Sequence, residues 1–294
     1  MKLTSPSAIS AFLKDNGLSA LRQFGQNFLC DANIIRKIAL ATGVDKEHGV
    51  LEIGMGLGAL TMELAELARN VVAVEIDRGL IATRSDDVRE SGHVKIVEGD
   101  ILETDLQTIW KDDFGSEPIY VCGNLPYYIT GRILIRVLEC ALPIIRFTAM
   151  VQKEVAERLS AKPGDSNYGA ATAYADYFSH PQILFTVSRR CFYPAPDVDS
   201  AIIALDLLRG AREIPFSTYR QVVRSAFAMR RKTLLNNLRS LAGPDTAREV
   251  LEKAGIDPRQ RAQETSCEQF CRLAELFTKA GWQPAADTGD DAVL

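Results

Sequence analysis

Four consecutive residues, Asn124-Leu125-Pro126-Tyr127, have the types and order needed to hold the exocyclic amine of a nucleobase. Such an amine is a poor nucleophile, because its lone pair is delocalised into the ring. The side-chain carbonyl of Asn124 can accept one of its N–H groups. Pro126 has no amide donor and stiffens the turn, which leaves neighbouring backbone carbonyls to face the same amine. Tyr127 can stack on the base. The four residues follow an apolar run, Ile119-Tyr120-Val121-Cys122, that reads as a buried strand. A Pro-bearing strand-to-helix turn with an incidental asparagine has the same pattern, and the tetrapeptide alone does not separate the two.

A second set of residues points to a nucleotide-like cofactor. The segment Glu52-Ile53-Gly54-Met55-Gly56-Leu57-Gly58-Ala59-Leu60-Thr61 is a glycine-rich turn from a strand into a helix, where backbone can approach a ligand closely. Gly54, Gly56 and Ala59 also satisfy the relaxed dinucleotide fingerprint, so a nicotinamide enzyme is a rival reading at this point. Three acids lean toward S-adenosyl-L-methionine. Glu52, two residues before the first glycine, is common in methyltransferase loops. Glu75 ends the next strand, 21 residues after Gly54, where a carboxylate can accept both ribose hydroxyls, although a dinucleotide enzyme has this acid too. Asp100, in Gly99-Asp100-Ile101 at the end of a third strand, can accept from an adenine amine. A helix N-cap explains Asp100 equally well.

These residues need a parallel sheet to bring them together. Short, continuous apolar runs alternate with longer amphipathic segments: residues 50–53, 71–74, 94–97, 119–122, 147–151, 183–187 and 201–205. Continuous runs suit strands buried on both faces. Helical patterns between them, such as 60–67 and 133–142, suggest crossovers. No clear helix separates the last two runs, so they are expected to form an antiparallel pair at the sheet edge. The fold class expected is α/β, a Rossmann-like methyltransferase sheet of seven mostly parallel strands, with ligands at the strands' carboxyl ends. Past Leu207 the strand signal stops. Helices are expected near 217–227, 233–241, 245–254 and 267–280, broken by Gly243-Pro244 and Gly255-Ile256-Asp257-Pro258. The domains expected are therefore 1–207, 208–282 and a disordered tail, 283–294.

Composition fits a soluble globular chain, with 47% hydrophobic and 24% charged residues and no apolar stretch long enough to span a bilayer. The first residues lack the apolar core of a secretion signal, so a cytoplasmic protein is expected. The six cysteines form no Cys-x-x-Cys pair and there are only three histidines, so no metal site is expected. Cys267 and Cys271 read as small core residues. The net charge of −4 argues weakly against a nucleic-acid partner. The stretch 219–239 is an exception. It carries Arg220, Arg224, Arg230, Arg231, Lys232 and Arg239 and no acid, and it is the candidate for phosphate contact. A solvated helix face explains it equally well.

Taken in order, the motifs resemble those of the ribosomal RNA adenine dimethyltransferases of the bacterial KsgA type. The resemblance runs from about Phe24 to Phe277. It includes Phe24-Gly25-Gln26-Asn27-Phe28-Leu29, the glycine loop, Val74-Glu75-Ile76-Asp77, Glu98-Gly99-Asp100-Ile101-Leu102 and Asn124 to Tyr127. Downstream come residues 151–159, Asn167-Tyr168-Gly169, Phe192-Tyr193-Pro194-Ala195-Pro196-Asp197-Val198-Asp199-Ser200, residues 227–234 and Asn236-Asn237-Leu238. It implies that Asn27 and Leu29 contact the cofactor from an N-terminal arm. Gly54, Gly56, Glu75, Asp100, Ile101 and Asn124 would complete its site, and Ile76 would pack on its adenine. Without the resemblance, Gln26-Asn27 reads as a helix cap before Ile34. Phe192 would be the second aromatic wall of the target-base pocket, opposite Tyr127. A Phe before Pro-x-Pro otherwise reads as the anchor of a rigid loop.

The function implied is dimethylation of two neighbouring adenosines in a hairpin loop near the 3′ end of small-subunit rRNA, with S-adenosyl-L-methionine as donor. The enzyme would act as a monomer on an immature small subunit. Within the family, an erythromycin-resistance type acting on the large subunit is the rival. Leu125 and the Phe-x-Pro-x-Pro-x-Val-x-Ser form favour the small-subunit type.

Overall fold

The computed structural model describes residues 3–20, 25–90, 92–208 and 212–285. Phe24 of the arm motif and residues 286–294 of the expected tail lie outside the described residues.

In chain order the first elements are α1 (Pro6–Asp15), β1 (Phe28–Leu29), α2 (Ala32–Ala41), β2 (Gly49–Ile53), α3 (Ala59–Leu67), β3 (Asn70–Glu75), α4 (Arg78–Arg89), β4 (Val94–Glu98), α5 (Leu106–Phe114), β5 (Ile119–Asn124), α6 (Thr130–Glu139) and β6 (Ile144–Gln152). They are followed by α7 (Lys153–Leu159), α8 (Ala170–Phe178), β7 (Ser179–Val187), β8 (Phe192–Tyr193) and β9 (Ser200–Leu207). Each of the seven apolar runs lies within a strand of one seven-stranded sheet, ordered β4-β3-β2-β5-β6-β9-β7. Five strands are parallel, and β9 runs antiparallel to β6. β7 lies next to β9 at the edge, as the missing helix between those runs suggested. Strands β2 and β5 are buried along nearly their whole length, as continuous apolar runs covered by helices on both faces should be. Strand order reverses between β2 and β5, which opens a crevice at their carboxyl ends.

Local signals explain where the helices begin. Asp31 caps α2 by accepting from Asn33 N and Ile34 N, so the cap before Ile34 is Asp31 and not Gln26-Asn27. Asp105 caps α5 in the same way, and Gly115 ends it in the left-handed region. Two short strands that the apolar runs did not reveal, β1 and β8, pair antiparallel, Phe28 opposite Tyr193 and Leu29 opposite Phe192.

The chain divides into two compact units, residues 1–156 with 182–207 and residues 157–181 with 208–294. A single cut at 207 therefore misses one segment, residues 157–181, which belongs with the C-terminal helices. The reason is the composition of α8. Its small residues allow close packing, and its tyrosines, with Tyr168 just before it, bury their rings while their hydroxyls find acceptors. Tyr174 OH donates to Arg220 O at 3.3 Å, and Tyr168 OH to Thr265 O at 2.9 Å. From the other side, Tyr219 OH donates to Ala173 O at 2.8 Å.

The second unit holds α9 (Phe216–Phe227), α10 (Leu234–Ala242), α11 (Pro244–Lys253) and α12 (Cys267–Lys279), each within two residues of its expected bounds. Tyr219, Val223, Leu238, Leu251, Phe270 and Phe277 are fully enclosed in its core. Cys267 is buried in the same core, and all six cysteines are free thiols. Trp282 packs edge-on to Phe277, and Ala285 exchanges two hydrogen bonds with the Gln221 side chain. The first residues of the expected tail are thus tied down.

Candidate active site

A cleft of about 870 Å³, its open mouth included, lies at the carboxyl ends of β2, β3, β4 and β5. Its lining includes Asn27, Gly54, Gly56, Glu75, Ile76, Asp100, Ile101, Asn124, Leu125, Pro126 and Tyr127, so the structure brings together eleven of the residues singled out in the sequence. The open sheet accounts for this convergence, since every parallel strand delivers its next residues to the same end.

The Asn124 corner is tied to the rest of the molecule by long-range bonds. Asn124 Nδ2 donates to Asn27 O at 3.0 Å, across 97 residues of sequence. A backbone carbonyl can only accept, so the amide nitrogen must face Asn27, and Asn124 Oδ1 is left as the acceptor for a ligand. Pro126 O already accepts from Ile129 N and from Thr130 Oγ1. Leu125 O accepts from no donor among the described residues, which makes it the backbone carbonyl free to take a second amine hydrogen. The Leu125 side chain is buried, and its amide is fixed to Met150 O at 3.1 Å. Tyr127 OH shares a 2.6 Å hydrogen bond with Ser200 Oγ, which holds its ring at the cleft. Burial pushes the Tyr127 phenol above its ordinary value and the Ser200 bond opposes this, so the ring stays neutral at neutral pH.

The acids occupy two distinct environments. Glu75, 6% exposed, lines the cleft and also organises the loops around it. Its Oε2 accepts from Gly56 N at 2.8 Å, and its Oε1 accepts from Ile76 N and Asp77 N, both at 2.9 Å. Of the four acceptor positions on the carboxylate, one on Oε2 remains for a ribose hydroxyl. Burial raises the Glu75 carboxyl above its usual range, with the three amide donors pulling it back down. Asp100 Oδ1 accepts from Leu102 N at 2.9 Å and closes a turn, not a helix, since α5 is capped by Asp105; its Oδ2 accepts from no donor among the described residues and faces the cleft as the candidate acceptor for an adenine amine. Glu52 differs from both. It is 1% exposed inside β2, does not line the cleft, and its Oε2 has no partner among the described residues. Burial pushes its carboxyl up to about 8, the Thr61 hydroxyl opposing and the Glu75 charge adding to the rise. It supports the loop from beneath as a neutral acid.

Two residues expected at the cleft lie outside it. Phe192 is only 3% exposed and is packed with Leu29, Ile35 and Ile202 in a core cluster. Its ring is outside the cleft, because β8 pairs with β1 and turns it inward. Leu29, its partner in that pair, is buried in the same cluster and does not line the cleft either. The anchor reading of Phe192 is the one this structure supports.

Sequence reasoning missed other residues of the cleft. Gln26 Nε2 donates to Asp77 Oδ2 at 2.8 Å, latching the arm to the residue that caps α4. Leu80 and Ile133 add apolar lining, and Tyr128 lines the mouth with 59% of its surface exposed. The doubled Tyr127-Tyr128 was the available signal for the last.

In the second unit the basic residues separate by position. Arg220 is only 7% exposed, its guanidinium over the Phe216 ring at 5.6 Å, so it is not available to a phosphate. It lies on the buried stripe of α9, four residues from Phe216 and three from Val223. Arg224, Arg230, Arg231 and Lys232 are exposed. The last three sit on the turn between α9 and α10. Buried Asn237 braces that turn by donating to Ala226 O at 2.6 Å and Met229 O at 3.2 Å.

The cleft fits the cofactor that the acids suggested. Gly54 and Gly56 have φ of +79° and +56° and present bare backbone to it, Glu75 keeps one acceptor position, and Asp100 keeps one oxygen. Sheet order and site together define a Rossmann-like, S-adenosyl-L-methionine-dependent methyltransferase. The model of the ribosomal RNA adenine dimethylase family matches residues 17–279. The chain is 40% identical over 296 residues to "Ribosomal RNA small subunit methyltransferase A" of Pelotomaculum thermopropionicum, covering 96% of this chain and 99% of that one. It is 41% identical to the protein of the same name from Streptococcus mutans, over 94% of this chain and 98% of that one. Among solved structures, it resembles a dimethyladenosine transferase from Plasmodium falciparum (TM-score 0.75, 26% identity, 87% of this chain and 98% of that one). It also resembles the 23S rRNA methyltransferase ErmE (TM-score 0.68, 27% identity, 86% and 100%). The chain belongs to the ribosomal RNA adenine dimethylase family, and its reaction is the dimethylation of rRNA adenine amines.

Proposed function

We propose that this enzyme dimethylates two adjacent adenosines in the hairpin loop near the 3′ end of small-subunit rRNA, and that it acts as a cytoplasmic monomer on an immature small subunit. The chemistry rests on one observation, the bond from Asn124 Nδ2 to Asn27 O, which leaves Asn124 Oδ1 as an acceptor beside Leu125 O at the corner. When bound, S-adenosyl-L-methionine supplies an already activated methyl group, so the protein's task is positioning and polarisation. Tyr127 presents its ring to an unstacked adenine. Asn124 Oδ1 and Leu125 O accept the two amine hydrogens and draw the nitrogen toward tetrahedral geometry, which returns its lone pair for in-line attack. The corner holds no strong base, and the proton can leave after transfer. In the second round a methyl replaces one hydrogen, so one acceptor keeps its bond while the other is passed by the methyl. Asn27 orients Asn124, Ser200 orients Tyr127, and both constraints persist through the two rounds.

Preference for the small subunit is supported by Leu125 and by the names of the relatives at about 40% identity over nearly the whole chain. The exposed turn bearing Arg230, Arg231 and Lys232, together with Arg224, is the proposed phosphate contact. No helix among the described residues is long and apolar enough to cross a membrane. Mapping dimethylated adenosines in both ribosomal subunits, with and without the enzyme, tests the proposal. Two neighbouring sites in small-subunit rRNA are expected. A product confined to the large subunit would assign the chain to the other branch of the family.

A further inference from the structure

We propose that Tyr128 is a positioning residue that stacks a nucleobase flanking the target adenosine, so that the enzyme grips two neighbouring nucleotides of the strand and not one base. This rests on the proposed action on an adenosine within an RNA strand. Tyr128 follows Tyr127 directly, in the one-turn helix Tyr127–Ile129, and both residues line the cleft. The two rings are committed differently. Tyr127 is partly buried and held by Ser200 at 2.6 Å, whereas Tyr128 is 59% exposed, the most open of the large apolar and aromatic side chains among the described residues.

A single exposed ring is ordinary on a protein surface; what singles out Tyr128 is its place in the cleft lining directly beside Tyr127. Its surroundings show that the ring is placed and not loose. The arm passes along it at Gly25, where a methyl on the α-carbon would stand 3.4 Å from Tyr128 Cδ1 and 3.9 Å from Cε1. Gly25 has φ of +58°, a conformation side chains rarely adopt, and Asn27 Nδ2 donates to Gly25 O at 2.9 Å. The arm that fixes Asn124 therefore also fixes the face along which Tyr128 lies. An aromatic plane one residue from the wall of the target base is where the next nucleotide of a single strand arrives once the target has left its stack. Stacking on such a plane is sequence-tolerant, which suits reading of the strand's path more than of its letters.

The test is a double-perturbation cycle on the full-length enzyme. Small-subunit particles are reconstituted with ligated rRNA that is intact or carries an abasic residue on the 5′ or the 3′ side of one target adenosine. Single-turnover methylation is compared for the native enzyme, Tyr128→Ala and Tyr128→Phe. With the native enzyme, one of the two abasic substitutions should lower kcat/KM by about 5- to 150-fold, the range expected for one lost stack. Tyr128→Ala should lose a similar factor on intact particles and nothing further on that abasic substrate. Tyr128→Phe should behave as native, since stacking needs only the ring. S-adenosylmethionine affinity, measured by calorimetry, should be unchanged in both variants. If the Tyr128→Ala and abasic losses multiply fully on both sides, the proposal is overturned. It is also overturned if Tyr128→Ala weakens cofactor binding by the same factor as turnover, which would make Tyr128 a cover for the cofactor. Failure of the native enzyme to methylate intact particles would instead refute the substrate reading beneath it.

Discussion

Replacing Glu75 by glutamine keeps the size of the side chain and removes one charge and one acceptor atom, so its effects can be worked out bond by bond. The amide oxygen must take the place of Oε1, where two donors, Ile76 N and Asp77 N, arrive at 2.9 Å. The amide nitrogen then faces Gly56 N across the 2.8 Å now bridged by Oε2, and two donors meet. Gly56 N, half-buried beside the buried Glu75 side chain, loses its acceptor, which costs about 1 kcal/mol of stability without ligand, the lower end of the range for an unsatisfied group. The remaining acceptor position on Oε2 is lost too. A hydrogen bond to a charged group is worth about 1.5–3 kcal/mol, so the dissociation constant for S-adenosylmethionine should rise by about 10- to 150-fold. Calorimetric titration of native and Glu75→Gln enzyme gives the affinity, and urea unfolding without ligand gives the stability. Affinity within twofold of native would show that Glu75 does not touch the cofactor. Lost affinity at unchanged stability would refute the account of its bond to Gly56.

Three further outcomes are expected. Glu52 ionises near 4.5 in the unfolded chain but is held protonated up to about 8 by burial, so the folded state carries an extra proton between these values and stability falls as pH rises through that window; Glu52→Gln should remove a decline on the order of a few kcal/mol, seen as a flatter urea midpoint against pH. Ser200→Ala frees the Tyr127 hydroxyl and should lower turnover of RNA several-fold with cofactor affinity unchanged, measured by single-turnover methylation and calorimetry. Neutralising Arg230, Arg231 and Lys232 together should weaken binding to small-subunit particles and reduce its salt dependence by about two to three units of log–log slope, whereas Arg220→Gln should mainly lower stability; equal binding slopes for the triple variant and the native enzyme would remove that turn from the interface.

The parts of the fold legible in the sequence are those encoded locally. A strand buried on both faces must be continuously apolar, and every one of the seven apolar runs falls in a strand of the sheet. Gly243-Pro244 and Gly255 punctuate the C-terminal helices where the backbone turns, both glycines having positive φ. The cleft was legible for the same reason, since acids and glycines at strand ends must converge in an open parallel sheet. What the sequence hid is long-range. The two-residue β1–β8 pair is too short for any pattern, and it is what turns Phe192 and Leu29 inward. The bonds from Asn124 to Asn27 and from Tyr127 to Ser200 join residues 97 and 73 positions apart. Arg220 was read by its charge, although the spacing from Phe216 and Val223 already placed it on the buried stripe of α9. Within residues 157–181, Tyr168, Tyr174 and Tyr177 bond through their hydroxyls to residues distant in sequence, Thr265, Arg220 and Ile214.

In the proposed mechanism Asn124 Oδ1, left as an acceptor by the bond to Asn27 O, holds the amine of an rRNA adenosine. Transfer of labelled methyl to unmethylated small-subunit particles by native and Asn124→Ala enzyme, with S-adenosylmethionine affinity measured in parallel, tests it most directly. Expected are dimethyladenosine from the native enzyme, a loss of at least about 100-fold in the rate of transfer by the variant, as for removal of one preorganised polar contact in a transition state, and a cofactor affinity within about fivefold of native. Undiminished transfer by Asn124→Ala, or no methyladenosine from the native enzyme, would contradict it.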